Sequence, residues 1–291
     1  MNESYARAAG ALRRWFEDGF ERLGGPFHEA AMRAGPGELA VGNRLKTRTP
    51  GLMSIRLLTR LSDDVEYDRY DPSVTYSREA WEDFLLTLGR VPVLASLDLE
   101  ANDNAGGPDG PGLAFGAVRV EGDGTWICLD LRESGKFAGP GPRRVALLEF
   151  LREVAEEANP VHGEISWGNS FISCVYEEAT HSRPEDTLPR GRQALRGYAW
   201  LTILPEEIGV RLGGVEALRA SGAFVEVERL ESGGFWCRVT EELEAYDQAA
   251  AERVFEVVAP VLPPGRPDMW HVYPPNVLSP RDPASFSQSG R

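Results

Sequence analysis

Four histidines, three cysteines and the adjacent glutamates at 177–178 and 206–207 are side chains here whose types could support chemistry. His28, His162, His181 and His271 lie far apart and share no i, i+4 pair, the spacing by which a helix presents two imidazoles to one zinc ion. A fold could gather His162, His181 and a carboxylate such as Glu164 into a metal site, but scattered structural histidines are the commoner outcome. Cys128, Cys174 and Cys237 are odd in number and form no CxxC unit, so neither a zinc ribbon nor a disulfide framework is indicated. Each lies in an apolar, strand-like run, where a free thiol behaves as a small buried hydrophobe. Cys174 with His162 or His181 would make a thiol nucleophile only if folding supplied the geometry. Glu177-Glu178 and Glu206-Glu207 are merely adjacent, whereas acid–base catalysis needs carboxyls that converge across a cleft. Gly168-Asn169-Ser170-Phe171 lacks the second glycine of a nucleophile elbow. No catalytic residue, metal or cofactor is therefore expected.

The chain that must position these groups has 291 residues, enough for one large core or two smaller ones. No apolar run approaches the roughly 20 residues of a membrane span. The first residues lack the apolar centre of a signal peptide, so a cytoplasmic location is expected. Net charge is −14 and unevenly spread: residues 1–60 hold ten Lys/Arg against six Asp/Glu, and the remainder 21 against 39. An acidic body repels nucleic acid and steers towards a basic protein partner, although solubility alone also accounts for an acidic surface.

Apolar periodicity predicts a helix over residues 6–22, a short helical piece at 28–33 and a strand over 53–61. Ser77 is placed to cap a helix over 78–88, with Trp81, Phe84, Leu85 and Leu88 as its buried stripe. A strand follows at 91–99. The glycine-rich loop 101–112 lacks the Lys-Ser/Thr ending of a phosphate loop. Ala114 to Val120 and Trp126 to Leu131 then form a hairpin, followed by a helix over 143–158. Ala223 to Glu228, Phe235 to Val239 and a helix over 246–259 repeat that order, with Ala-Phe opening both hairpins and Trp near Cys in both second strands. This reads as a ββα pseudo-repeat. Between the copies, strands are expected at 162–167 and 171–175, a long polar loop at 177–193, and a central strand at 198–204. In such a strand Tyr198 and Trp200 face one side. Pro205-Glu206-Glu207 opens a helix, and the segment after Leu262 becomes proline-rich.

The expected fold is thus α+β, with two related ββα halves, mixed or antiparallel sheets and flanking helices. The halves are residues 1–160 and 161–262, with 263–291 as a partly disordered tail.

Gly197-Tyr198-Ala199-Trp200-Leu201, the following helix, and Leu212-Gly213-Gly214 with Leu218 resemble a family of bacterial immunity proteins. That family is associated with nuclease toxins delivered by type VI secretion, and the resemblance covers mainly residues 195–262. It implies an α+β protein that binds and neutralises a cognate toxin without catalysis of its own. A nuclease needs a basic surface to hold phosphate, and an acidic inhibitor can occupy it. The partner-binding surface is expected at the acidic-aromatic stretch Asp63, Asp64, Glu66, Asp68 and Tyr70, together with Glu177, Glu178, Glu185 and Asp186. The expected partner is a protein, a basic toxin, and neither nucleic acid nor membrane. Two alternatives remain: a hydrolase with a metal or thiol site built from His162, Cys174 and His181, and a small-molecule-binding module.

Overall fold

The computed structural model describes residues 3–34, 39, 49–62, 73–106, 110–134, 141–166, 172–267 and 281–288. The chain divides into two compact units, residues 1–120 with 125–154, and residues 121–124 with 155–291.

In the first unit, α1 (Glu3–Leu23) buries Leu12, Trp15, Phe16, Phe20 and Leu23, the three-to-four spacing of one helix face. Pro26 opens α2 (Pro26–Arg33), where its missing N–H costs no helical hydrogen bond. Then come β1 (Met53–Arg60), β2 (Val74–Thr75), α3 (Arg78–Leu88), β3 (Leu94–Ala101), β4 (Gly112–Gly122), β5 (Gly124–Ser134) and α4 (Pro142–Ala158). Ser77 Oγ accepts from the Ala80 N–H at 3.1 Å and so caps α3. The strands form one sheet in the order β2-β1-β3-β4-β5, with β1 antiparallel to β3 and β3 to β4. Gly19 lets α1 lie close on this sheet, since a Cβ there would stand 2.5 Å from the Phe115 ring. Trp15 Nε1 donates to the Gly116 carbonyl at 3.1 Å, and its ring lies 5.4 Å from Phe150 of α4.

In β5, Ile127, Leu129 and Leu131 pack on the core, so alternation places Trp126, Cys128, Asp130 and Arg132 on the other face. Burial pushes the Asp130 carboxyl up to about 6, against the pull of Arg132, whose Nε lies 2.8 Å away.

The second unit contains β6 (Gly163–Ile165), α5 (Val175–Thr180), α6 (Pro184–Thr187), β7 (Leu201–Leu204), α7 (Glu206–Arg211), α8 (Gly214–Ala220), β8 (Glu226–Arg229), β9 (Phe235–Arg238) and α9 (Gln248–Val258). Its sheet is antiparallel in the order β6-β7-β9-β8. Asp247 caps α9, which turns Ala250, Ala251, Val254, Phe255 and Val258 inward. Residues 283–288 form a short 3-10 helix, and Arg281 stacks over Phe255 at 4.6 Å.

The fold is α+β, and the ββα order occurs in both units. The hairpins are nevertheless inserted in opposite senses. In the first unit the leading hairpin strand, β4, lies inside and β5 is outermost; in the second the trailing strand, β9, lies inside and β8 is outermost. Short matched segments report hairpin and helix, not which strand finds a neighbour. Three other expectations are corrected. Residues 177–193 are largely helical turns rather than a loop, Cys174 and Val175 start α5 rather than ending a strand, and β7 begins at Leu201 rather than Tyr198. In the last case the Ala199 N–H is taken by Thr202 Oγ1 at 3.0 Å, so residues 198 and 199 run outside the ladder, and Trp200 joins it only through its carbonyl, which accepts from the Val239 N–H at 2.9 Å.

Two expectations about stability follow from this packing. A Cβ at Gly209 of α7 would stand 2.1 Å from the Phe235 ring, whereas one at the exposed helical Gly10 meets nothing within 4 Å. Gly209→Ala should therefore cost about 1–3 kcal/mol through overpacking, while Gly10→Ala should add about 0.5–1 kcal/mol; urea denaturation reads both. For Asp130, the folded value raised from 3.8 to about 6 means that its contribution is fully present below pH 3.8 and lost as pH rises through about 6. The site should thus remove about 3 kcal/mol between about pH 4 and about pH 7.5, and Asp130→Asn should abolish that part of the dependence.

Candidate functional site

The second unit is built around a buried ion pair. Arg196 Nε and Nη2 donate to Glu177 Oε1 and Oε2 at 2.7 and 2.8 Å, a fork matched to the carboxylate. Their side chains are 7% and 1% exposed. The remaining capacity of the carboxylate is filled by the Cys174 N–H at 3.0 Å and by the Thr187 hydroxyl. Arg196 Nη2 also donates to the Ile172 carbonyl at 3.1 Å. One carboxylate therefore holds together the start of α5, the end of α6 and the approach to β7.

Beside this pair lie His162, Glu164 and Cys174, whose donor atoms all fall within 4.8 Å of one another. His162 Nε2 is 3.2 Å from Glu164 Oε2, and Ser166 Oγ donates to Glu164 Oε1 at 3.1 Å. Cys174 Sγ donates to the Arg196 carbonyl at 3.1 Å. Burial, then the charges of Glu164 and Glu177, push the Cys174 thiol well above its ordinary range. A nucleophilic cysteine needs the opposite shift, so this arrangement does not make a thiolate for covalent catalysis.

Tyrosines complete the surroundings. Tyr176 donates its hydroxyl to the Pro263 carbonyl at 3.1 Å, and its ring centroid lies 6.3 Å from that of Tyr198. Burial raises Tyr198 to about 12 and carries Tyr246 well above its ordinary value, with Tyr198 and Glu164 adding to the rise at Tyr246. Burial thus keeps the Cys174 thiol and the Tyr198 and Tyr246 hydroxyls protonated near neutral pH.

The expected partner-binding residues fare unequally. Glu177 is not available on the surface, because the helical phase of α5 turns it inward onto Arg196. Glu178 is half-buried, while Glu185 and Asp186 are exposed on α6. Asp63, Asp64, Glu66, Asp68 and Tyr70 lie outside the described residues, as does His271. His181 is exposed, taking the left-handed conformation at φ 53° that ends α5. It is not in the cluster with His162 and Cys174, and His28 instead meets the Phe20 ring edge-on at 5.0 Å. Reading the sequence missed Arg196, whose one signal is a cation between Leu195 and Gly197 at the head of an apolar run.

No family model matches the chain, and no curated protein does. Among solved structures, the chain is similar to a Pseudomonas aeruginosa T6SS protein, PA0821, with a TM-score of 0.50 at 14% identity. The match covers 88% of this chain and 69% of that one. At this identity the likeness is one of fold. Among the described residues, no helix is long and apolar enough to cross a membrane.

Glu177→Gln should destabilise the protein by about 3–5 kcal/mol, because it leaves the Arg196 guanidinium buried without its counter-charge. Replacing both partners, Glu177→Gln with Arg196→Met, should recover part of that loss. The exposed pair Arg13–Glu17, at 61% and 40%, provides the contrast: Glu17→Gln should change stability by less than about 1 kcal/mol. Chemical denaturation of the three variants separates these outcomes.

Proposed function

We propose that this chain is a non-enzymatic binding protein that neutralises a cognate bacterial toxin in the cytoplasm, an immunity-type inhibitor. The observation that carries the reading is the fold likeness to a type VI secretion protein over 88% of the chain. The resemblance of residues 195–262 to nuclease-immunity proteins supports the same direction.

Charge supplies the physical route. A body with net charge −14 attracts the basic surface that a nuclease uses to hold phosphate. Such complementarity raises the association rate and makes it salt-dependent. Within the described residues, Glu178, Glu185 and Asp186 are the partner-facing acids of the expected set, with the stretch 63–70 as the other patch. Glu177 contributes indirectly, by fixing α5 and α6 through Arg196 and Thr187. The neutral, buried state of Cys174 argues against a thiol hydrolase.

The test is co-purification of the tagged full chain from its native organism, across a salt series, with mass spectrometry of the eluate. A basic toxin that dissociates as salt rises is expected, as is protection of cells that express it. Glu178→Lys, Glu185→Lys and Asp186→Lys together should slow association about tenfold or more at low salt while leaving thermal stability unchanged. Undiminished binding by that variant and by charge reversal of the 63–70 acids would remove the proposed surface; absence of any toxin would remove the function.

A further inference from the structure

We propose that His162, Glu164 and Cys174 bind one divalent transition-metal ion of the zinc class. The site follows from strand geometry and from where α5 begins. His162 directly precedes β6 and Glu164 lies within it, two residues on and therefore on the same side of the strand. Cys174, at the head of α5, brings a sulfur to the same place. The three donor atoms lie within 4.8 Å of one another, and His162 Nε2 and Glu164 Oε2 are 3.2 Å apart. Bond lengths of about 2.0–2.3 Å place donors about 3.3–3.8 Å apart in a tetrahedral zinc site. The group therefore closes on an ion through movements of about 1 Å or less.

Two further observations point to a ligand. The site is withdrawn from water, with side-chain exposures of 4% for His162 and 14% for Glu164, and Cys174 buried at 3%. His162 Nδ1 is buried and has no hydrogen-bond partner among the described residues, so it is uncommitted and can carry the ring proton while Nε2 turns to an ion. Glu164 is already held from behind, because Ser166 occupies Oε1 while Oε2 faces His162. That is the outer support characteristic of metal-binding carboxylates.

The donor set selects the ion. Nitrogen, oxygen and sulfur together suit zinc or cobalt rather than calcium or magnesium, which take oxygen ligands. On loading, the Cys174 thiol proton leaves to solvent and the proton between His162 Nε2 and Glu164 Oε2 moves to Nδ1; that hydrogen bond and the thiol's bond to the Arg196 carbonyl give way to bonds to the metal. Three protein ligands leave the fourth tetrahedral position to a water, and the ion ties β6 to α5, the helix that carries Glu177 and Glu178. The proposal does not depend on the toxin partner.

The full chain, stripped with a chelator, is titrated with cobalt(II) and then with zinc. One equivalent of cobalt should give a thiolate-to-metal charge-transfer band with the intense visible bands of tetrahedral cobalt, and zinc should bleach both. Thermal unfolding should shift upward with added zinc. Cys174→Ser should lose the charge-transfer band, and Glu164→Gln and His162→Asn should weaken cobalt binding at least tenfold, while Cys128→Ala keeps it. Should Cys174→Ser fail to fold, Glu164→Gln, of the same shape, still decides the matter. A folded Glu164→Gln that binds cobalt as the native chain does, a charge-transfer band surviving in Cys174→Ser, or no band in the native chain would each overturn the site.

Discussion

A carboxylate and a guanidinium removed from water are costly to bury, and the second unit is arranged so that neither is left unmatched. Each oxygen of Glu177 meets a nitrogen of Arg196, and the Thr187 hydroxyl and the Cys174 N–H fill the remaining lone-pair directions. A buried pair of this kind adds little net stability over an apolar replacement, but it tolerates few alternative arrangements. Three short segments, none a stable helix or strand by itself, are thereby held in one mutual geometry. The location of His162 and Glu164 beside Cys174 is set by the same constraint, because the Cys174 N–H is one of the four donors on Glu177.

Around this polar centre the packing is ordinary and close. Phe235 of β9 meets α7 at a position where only hydrogen fits, Gly209. Trp200 is buried with its Nε1 donating to the Thr240 carbonyl at 2.9 Å, so the indole fills apolar space without orphaning its N–H. In the first unit, Trp15 does the same against Gly116. In both units a large aromatic residue ties a structural element to a backbone carbonyl distant in sequence.

What could be read in advance was local. The α3 boundaries follow from Ser77 and the Trp81–Leu88 stripe, all within one short window, and the structure places the helix at Arg78–Leu88. The hairpins and α9 were legible for the same reason. By contrast, α5 and α6 have six and four residues, too few for an apolar period to repeat, and their polar composition suggested a loop. Glu177 was thereby assigned to the surface. Its partner lies 19 residues away, and no spacing rule links them. The candidate metal ligands divide along the same line: His162 and Glu164, two apart, are an obvious strand-face pair, but only the entry angle of α5 brings Cys174 to them.

The opposite insertion of the two hairpins also governs what each described sheet shows at its margin. The second sheet ends in β8, four residues long and carrying Glu226, Glu228 and Arg229. The first ends in β2, two residues long, and in β5, which bears Asp130, Arg132 and Glu133. A short or charge-studded border is a poor template for a foreign strand, since a newcomer must desolvate those charges to complete the ladder. The charged residues of β5 and β8 and the brevity of β2 thus make those three margins poor places for a further strand to add.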